Sequence, residues 1–231
     1  MSRGLFITGT GTDIGKTFVT ALIVKKLNES GKNPGYYKAA MSGNVRREDG
    51  TLIPGDAAFV KEISGIGQPL EQMCPYVYEH AYSPHLASRI EGNPVSLACV
   101  RQGFEKVCKD YDYVTVEGSG GILCPINYDG DKIWLEDVIK ELHLPTVIIA
   151  DAGLGTINNV LLTTAYMRMK NMVIKGLIFN HFHPGNVMEE DNLKMCAEMS
   201  GLPILARVTD GANDIEIDME VLTALYEGEI L

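Results

Sequence analysis

Short apolar runs alternate with longer segments of helical spacing along most of this chain. Several short runs are apolar at nearly every position, and the clearest is Pro145 to Asp151, which reads P-T-V-I-I-A-D. Strands of this kind are typical of a parallel sheet that is covered on both faces. With no shift in composition to mark a linker, the pattern predicts one α/β domain over residues 1–231, with a mainly parallel sheet and helices on both faces.

The same pattern gives approximate element positions. We predict strands at 5–7, 35–41, 74–78, 112–117, 145–151, 173–179 and 203–208. We predict helices at 17–30, 56–64, 83–92, 95–109, 135–142, 156–169, 189–199 and 215–226. Between them, residues 44–55 carry charged residues, glycines and a proline, which favours a mobile surface loop.

Composition narrows the range of functions. The hydrophobic fraction of 45% supports a large core, and the net charge of −10 argues against nucleic acid as a partner. The five cysteines contain no C-x-x-C pair, which fits a reduced cytoplasmic protein without a zinc site. No apolar run approaches the roughly 18 residues of a membrane span, and no signal-peptide pattern begins the chain, so we expect no membrane partner.

Phe6 to Thr17 reads F-I-T-G-T-G-T-D-I-G-K-T and joins a predicted strand to a predicted helix through a glycine loop. This P-loop arrangement binds polyphosphates, because loop amides and the helix N-terminus face the phosphate oxygens. Lys16 is expected on the β- and γ-phosphates and the Thr17 hydroxyl on Mg²⁺. Ordinary P-loops place four residues between the first glycine and the Gly-Lys-Thr triplet, whereas five separate Gly9 from Gly15.

Polar residues follow five predicted strands. The ligand of such a sheet lies beyond the carboxyl ends of its strands, so these residues should converge. Glu117 is the first candidate carboxylate for Mg²⁺, with a solvated acid as the alternative. Asp56 is the second candidate, with a helix N-cap as the alternative. Lys38 would face the γ-phosphate, while His181 and His183 resemble a metal pair but have no third ligand nearby, so we interpret them as loop residues.

These residues assemble a known pattern, because Gly9 to Thr17 resembles the five-spaced P-loop of the dethiobiotin synthetase family. Four further motifs match that family in chain order: 38–43 (K-A-A-M-S-G) is similar to its K-P-x-x-S-G, 83–85 to its S-P-H, 116–121 (V-E-G-S-G-G) to its V-E-G-A-G-G, and 153–158 (G-L-G-T-I-N) to its G-L-G-T-x-N. The set is far more specific than a P-loop alone.

The resemblance implies ring closure of 7,8-diaminononanoate (7,8-diaminopelargonate) with CO₂ and MgATP to dethiobiotin, through a carbamate and a carbamic–phosphoric anhydride. It implies that Lys16 and Lys38 stabilise the transferring phosphoryl group and that Thr12 and Ser42 hold the carbamate, with Lys38 beside them. The implied Mg²⁺ ligands are Thr17, Asp56 and Glu117. The implied nucleotide contacts are Asp13, Ile14, Gly15, Lys16, Thr17, Phe18, Asp56, Glu117, Gly118, Ser119, Gly120 and Asn180. The family is a homodimer, and Gly155, Thr156 and Asn158 match the helix start that holds the substrate carboxylate of the partner subunit.

Some positions depart from the family pattern. Gly11 stands where the family often has Asp, Asp13 where it often has Glu, Ala39 where it usually has Pro, and Val208-Thr209 where it usually has I-P. The last of these positions is near the base pocket, so the sequence leaves open whether the nucleoside triphosphate is ATP or a different one.

Three other functions compete with this one. A cobyrinate amidase-type synthetase carries a glutamine-hydrolysing domain with a nucleophilic cysteine. This sequence has no room for such a domain and no nucleophilic cysteine motif. A P-loop partner-switch ATPase of the positioning type carries a second lysine inside its P-loop, where this chain has Gly11, Thr12 and Asp13. A nucleotide-binding module without catalysis would not need Lys38 and Ser42.

Overall fold

The computed structural model describes residues 3–227, which are built around a sheet of six parallel strands. The strands in chain order are β1 (Arg3–Gly9), β2 (Pro34–Lys38), β3 (Ala40–Met41), β4 (Val45–Arg46), β5 (Leu52–Ile53), β6 (Tyr76–Val77), β7 (Tyr113–Glu117), β8 (Pro125–Asn127), β9 (Ile133–Trp134), β10 (Thr146–Asp151), β11 (Ile174–Asn180) and β12 (Ile204–Arg207). The helices are α1 (Lys16–Glu29), α2 (Gly55–Ser64), α3 (Leu70–Met73), α4 (Pro84–Glu91), α5 (Leu97–Asp110), α6 (Leu135–Glu141), α7 (Thr156–Met169), α8 (Val187–Ser200) and α9 (Met219–Leu225).

The strand order explains where a ligand can lie. The main sheet has the order β12-β11-β10-β1-β7-β2, so the loop that follows β1 emerges at its middle. On one side of that loop, Lys38 of the edge strand β2 is in register with Glu117 of β7. Both residues end their strands at the carboxyl edge, and the predicted fold class is confirmed.

Apolar side chains on both faces of the sheet stabilise this arrangement. Within β1, Leu5 and Ile7 pack in a cluster with residues of α1 and α9, whereas Phe6 packs in a second cluster with residues of α5, α6 and α7. Full burial of such a side chain contributes about 1.5–3 kcal/mol. The strand is therefore apolar at successive positions because helices cover both of its sides.

The predicted strand at 35–41 is interrupted. Strand β2 ends at Lys38, and Ala40–Met41 pairs instead with β6 in a separate two-stranded sheet. The Ser119 hydroxyl donates to the carbonyl of Ala40 at 3.0 Å, which ties this segment to the loop after β7. The break frees the residues after Lys38 to bend over the carboxyl edge.

Two further predictions need correction. The segment 44–55, predicted as a mobile surface loop, contains the antiparallel pair β4 and β5. The turn between them is closed by a hydrogen bond from the Thr51 amide to the Asp49 carboxylate at 2.9 Å. The last helix was predicted from residue 215 but begins at Met219, because the Asp218 side chain caps it. The preceding Ile215 is buried in the core outside the helix.

The small elements α3, β8 and β9 were not predicted. Within residues 3–227, no helix is both long enough and apolar enough to cross a membrane.

Candidate active site

The loop after β1 turns sharply into α1. Gly15 precedes the helix with φ +79°, a left-handed conformation that glycine adopts without steric cost. Lys16 is the first helical residue, and its side chain folds back so that Nζ donates to the carbonyl of Gly11 at 2.6 Å. The P-loop geometry predicted from the spacing of glycine, lysine and threonine is thus present.

A cavity of about 570 Å³ opens at the carboxyl edge beside this loop. It brings together the predicted residues Thr12, Asp13, Gly15, Lys16, Thr17, Lys38, Ser42, Asp56, Glu117, Ser119 and Gly120. The Ser83-Pro84 start of α4 forms part of its wall, as does Tyr82. Residues from several separate parts of the sequence therefore meet in a space suited to a nucleotide and a small substrate.

Lys38 is buried between two carboxylates. Its Nζ lies 2.6 Å from Asp56 Oδ2 and 2.7 Å from Glu117 Oε1. Burial acts to lower the pKa of Lys38, but the charges of Glu117 and Asp56 outweigh it and raise the pKa above its ordinary value. Lys38 is therefore an ammonium at neutral pH, held at the end of β2.

Asp56 lies in the first turn of α2, where Pro54 is the N-cap residue, so the N-cap alternative is wrong. The cap function falls instead to Asn44, whose Oδ1 accepts the amide of Gly55 at 2.8 Å. The carboxylate of Asp56 is thereby left to face Lys38, and its side chain is 41% exposed at the cavity.

Glu117 is buried, so the alternative of a solvated acid is also wrong. Its Oε1 accepts from the Thr17 hydroxyl at 2.8 Å and from Lys38, and its Oε2 accepts from the Tyr36 hydroxyl at 2.9 Å. Burial, followed by the charge of Glu117, raises the pKa of Tyr36 well above its ordinary value, so the phenol keeps its proton. Tyr36 is not among the predicted site residues, since the sequence of a buried strand gives no sign of which tyrosine hydroxyl faces a carboxylate.

Lys16 differs from Lys38 because no carboxylate of residues 3–227 forms an ion pair with it. Burial, and then the charge of Lys38, lower the pKa of Lys16 to about 8. A bound polyphosphate favours the ammonium form, so ADP binding takes up a proton above about pH 8. We expect the ADP affinity of the protein to fall above that pH, by up to about tenfold per pH unit.

Calorimetric ADP titrations between about pH 7 and about pH 9.5 test this expectation. In Lys16→Arg the guanidinium stays charged over the whole range, so the pH dependence should flatten. An ADP affinity of the unsubstituted protein that is constant across the range would contradict it.

Asn180 lies outside the cavity and behind the P-loop. Its side chain is buried, and Nδ2 donates to the carbonyl of Ile14 at 3.1 Å. The side-chain oxygen of Asn180 is buried without a hydrogen-bond partner among residues 3–227. Ile14 and Phe18 pack at the margin of the core, outside the cavity lining. Gly118 is buried where a β-carbon would collide with Phe6 and Leu135.

The close approach of Asn180 leaves no room for a side chain at Gly15. A β-carbon at Gly15 would overlap the Asn180 amide nitrogen, in addition to the left-handed strain of about 1–2 kcal/mol. We expect Gly15→Ala to weaken ADP binding at least about tenfold, equivalent to about 1.4 kcal/mol, because the loop amides shift.

Gly201→Ala is the matched control for Gly15→Ala. Gly201 also has positive φ at a helix end, yet a β-carbon there meets nothing within 4 Å. This control should lose stability through strain but bind ADP normally, as measured by thermal unfolding and calorimetry. Equal ADP affinities of the two variants would refute the steric argument.

The residues implied at a subunit interface lie apart from the cavity. Gly155 precedes α7 with φ +91°, and Thr156 begins the helix with a buried hydroxyl that has no partner among the described residues. Asn158 is exposed on the same helix. None of the three lines the cavity at the P-loop.

The two histidines after β11 are loop residues, as predicted. His181 Nδ1 lies 2.7 Å from Asp151 Oδ2, and His183 Nδ1 lies 3.0 Å from Glu189 Oε1. The hydrogen bond with Glu189 is the main cause of the raised pKa of His183. Across residues 3–227, no group of three His, Cys, Asp or Glu side chains could hold a metal ion by itself.

Comparisons with known proteins decide the family. The curated ATP-dependent dethiobiotin synthetase BioD of Brachyspira hyodysenteriae is 49% identical over 98% of this chain and 100% of that protein. The protein of the same name from Clostridium botulinum (strain Loch Maree) is 46% identical over 98% of this chain and 99% of that protein. The one from Clostridium perfringens (strain ATCC 13124) is 41% identical over 99% of this chain and 100% of that protein. The chain belongs to the dethiobiotin synthetase family. A family model described as an AAA domain matches residues 3–211.

The resemblance noted in the motifs is confirmed, and the chain is an enzyme of the ligase class. Solved structures agree on the fold: the signal recognition particle 54 kDa protein of Aeropyrum pernix K1 has a TM-score of 0.54 at 14% identity, covering 97% of this chain and 48% of that one. The MinD cell division protein of Aquifex aeolicus has a TM-score of 0.53 at 13% identity, covering 90% of this chain and 82% of that one. At such identities the likeness shows the fold alone, so it gives no support to a positioning ATPase.

Proposed function

We propose that this dethiobiotin synthetase family member closes the ring of dethiobiotin from 7,8-diaminononanoate, CO₂ and ATP, with release of ADP and phosphate. The observation that carries the proposal is the buried Lys38 ammonium beside the P-loop cavity, 2.7 Å from Glu117 and 2.6 Å from Asp56. A nucleotide-binding module would not need a second buried cation at this position, whereas in phosphoryl transfer an added positive charge stabilises the transferring group.

In the proposed reaction, one amine of the substrate captures CO₂ as a carbamate. A carbamate oxygen attacks the γ-phosphorus and ADP leaves, which gives a carbamic–phosphoric anhydride. The second amine then attacks the carbonyl carbon, closes the ring and expels phosphate. Phosphorylation is needed because the carbamate oxygen is otherwise a poor leaving group.

The proposed roles of the cavity residues follow from the charge or the hydrogen-bonding group that each one carries. Lys16 and Lys38 neutralise the transferring phosphoryl group, and the hydroxyls of Thr12 and Ser42 hold the carbamate. Burial raises the pKa of Cys124 in the cavity wall to about 11, so its thiol stays protonated and is no nucleophile.

The donor set fits Mg²⁺, which prefers oxygen ligands and takes one or two carboxylates together with substrate phosphates. Thr17 Oγ1 and Glu117 Oε1 are 2.8 Å apart, and Asp56 faces the same space from α2. These three residues would hold the ion, which supplies charge neutralisation on the phosphate oxygens when bound.

We propose that the nucleotide lies along the P-loop. The amides of Asp13 to Phe18 would face its phosphates, and Gly118, Ser119 and Gly120 would flank it from the loop after β7. Asn180 supports this proposal indirectly, because it binds the carbonyl of Ile14 and its side-chain oxygen has no hydrogen-bond partner within the part of the chain that the structure describes. ATP is the proposed nucleotide on the strength of the family.

We further propose a cytoplasmic homodimer in which the start of α7 receives the substrate carboxylate from the partner subunit. Gly155 and the Thr156 hydroxyl, which has no partner among residues 3–227, form a helix N-terminus that suits an anion, and Asn158 follows Thr156 by two residues. Large apolar residues stay exposed next to this helix start and further along α7, with Leu154 at 90% and Leu162 at 63%. A second copy of the chain would cover them.

The test is an incubation of the protein with 7,8-diaminononanoate, bicarbonate and each nucleoside triphosphate in turn. We expect phosphate release and a product of dethiobiotin mass with ATP, and only when both diamine and bicarbonate are present. Phosphate release that is independent of the diamine, with no ring product, would overturn the proposal.

A further inference from the structure

The two oxygens of Glu117 have different partners. Oε1 faces the cavity side and accepts from Thr17 and Lys38, whereas Oε2 accepts from the hydroxyl of Tyr36 at 2.9 Å. Tyr36 and Lys38 are two positions apart on β2, so both approach Glu117 from the same face of the strand. The Tyr36 hydroxyl thus binds one oxygen of the carboxylate, and Thr17 and Lys38 bind the other.

Tyr36 is itself fixed unusually firmly for a residue of an edge strand. Its backbone amide donates to Gln68 Oε1 at 2.7 Å, and the Gln68 amide donates back to the carbonyl of Tyr36 at 3.0 Å. The ring is buried in the core cluster formed with α1 and α2. A rigid donor at this position can define the rotation of the Glu117 carboxylate.

We propose that Tyr36 is a positioning residue that holds Glu117 with a single oxygen, Oε1, directed at the cation site beside Thr17. The inference rests on the proposed metal role of Glu117 and adds a residue that acts on the cation only through that carboxylate.

The physical reason lies in the competition around Glu117. Without the Tyr36 hydroxyl, the carboxylate is free to rotate and to offer both oxygens to the Lys38 ammonium, which lies 2.7 Å from one of them already. When both carboxylate oxygens bind Lys38, fewer of their lone pairs are free to bind a divalent ion. Residues that orient metal ligands typically contribute about 10- to 100-fold to metal affinity.

Tyr37 provides a matched control from the same strand. It is equally buried, but its hydroxyl donates to the backbone carbonyl of Val100 at 2.8 Å, on the opposite face. Tyr37→Phe therefore removes the same group and one buried hydrogen bond without touching Glu117.

The experiment titrates Mn²⁺, as a stand-in for Mg²⁺, into the protein–ADP complex and follows free Mn²⁺ by electron paramagnetic resonance. We expect Tyr36→Phe to weaken Mn²⁺ binding about tenfold and Tyr37→Phe to leave it unchanged. Metal-free ADP affinity should be equal in both. Replacing Tyr36 with 4-aminophenylalanine keeps a donor on the same ring and should restore Mn²⁺ affinity, which separates the hydrogen bond from packing even if Tyr36→Phe folds poorly.

The Glu117→Gln variant and the ring-closure assay separate the inference about Tyr36 from the proposed function. If Glu117→Gln loses Mn²⁺ affinity but Tyr36→Phe does not, the inference is overturned and the proposed function stands. If Glu117→Gln also leaves Mn²⁺ affinity unchanged, Glu117 is no ligand and the inference fails with that assignment. Failure of the unsubstituted protein to make ring product, with Mn²⁺ binding intact, would instead count against the proposed function alone.

Discussion

Replacing Lys38 with alanine is expected to lower the rate of ring product formation on the order of a thousandfold, because a charge facing the transferring phosphoryl group acts mainly in the transition state. Nucleotide affinity should stay within about tenfold, since the P-loop amides and Lys16 bind the ground state. Steady-state kinetics and calorimetric ADP binding measure the two quantities separately.

Stability gives a second readout for the same variant. Without its ammonium, the buried carboxylate of Glu117 is left uncompensated next to Asp56, a loss of about 3–5 kcal/mol for a buried pair. Mg²⁺ should restore part of the unfolding temperature. Lys194→Ala, at an exposed position on α8, should change neither rate nor stability. Equal losses of rate and nucleotide affinity in Lys38→Ala would contradict a transition-state role.

The second large effect is expected at the two carboxylates. Glu117→Ala should raise the Mg²⁺ concentration needed for half-maximal activity about 100-fold, and Asp56→Ala about tenfold. The difference follows from burial: Glu117 is fully buried and also holds the Thr17 hydroxyl, whereas Asp56 is 41% exposed and water can take its place.

Glu136→Ala is the control for these two variants. Glu136 is also a buried acid, but it pairs with Lys140 and Lys170 outside the cavity lining. Its replacement should leave the Mg²⁺ requirement unchanged. A Mg²⁺ titration that is the same for Glu117→Ala as for the unsubstituted protein would remove Glu117 from the ligand set.

Much of the site could be predicted because it depends on local pattern and on the parallel sheet. The P-loop is contiguous in sequence, and Lys38 and Glu117 both lie towards the carboxyl ends of predicted strands, so their presence at one edge of the sheet follows from the fold class. The family resemblance supplied the roles but not the contacts.

What could not be predicted depends on side-chain direction and on breaks in regular structure. The Tyr36 hydroxyl reaches Glu117 only because β2 and β7 are neighbours with a particular register. The change of sheet after Lys38 depends on a hydrogen bond to Ser119, which is distant in sequence. The paired strands within 44–55 depend on a single turn closed by Asp49. Asn180 ends its strand as predicted, yet it contacts Ile14 behind the loop and does not line the cavity.

The ammonium group between Asp56 and Glu117 has a consequence for handling the enzyme. Some metal-dependent proteins unfold when a chelator removes the ion, because the free energy of metal binding is part of their folding free energy. Here the Lys38 ammonium contacts both Asp56 and Glu117, which offsets one of the two negative charges and reduces their repulsion. Treatment with EDTA should therefore yield a native, inactive protein that regains activity on dialysis against magnesium, with no refolding step.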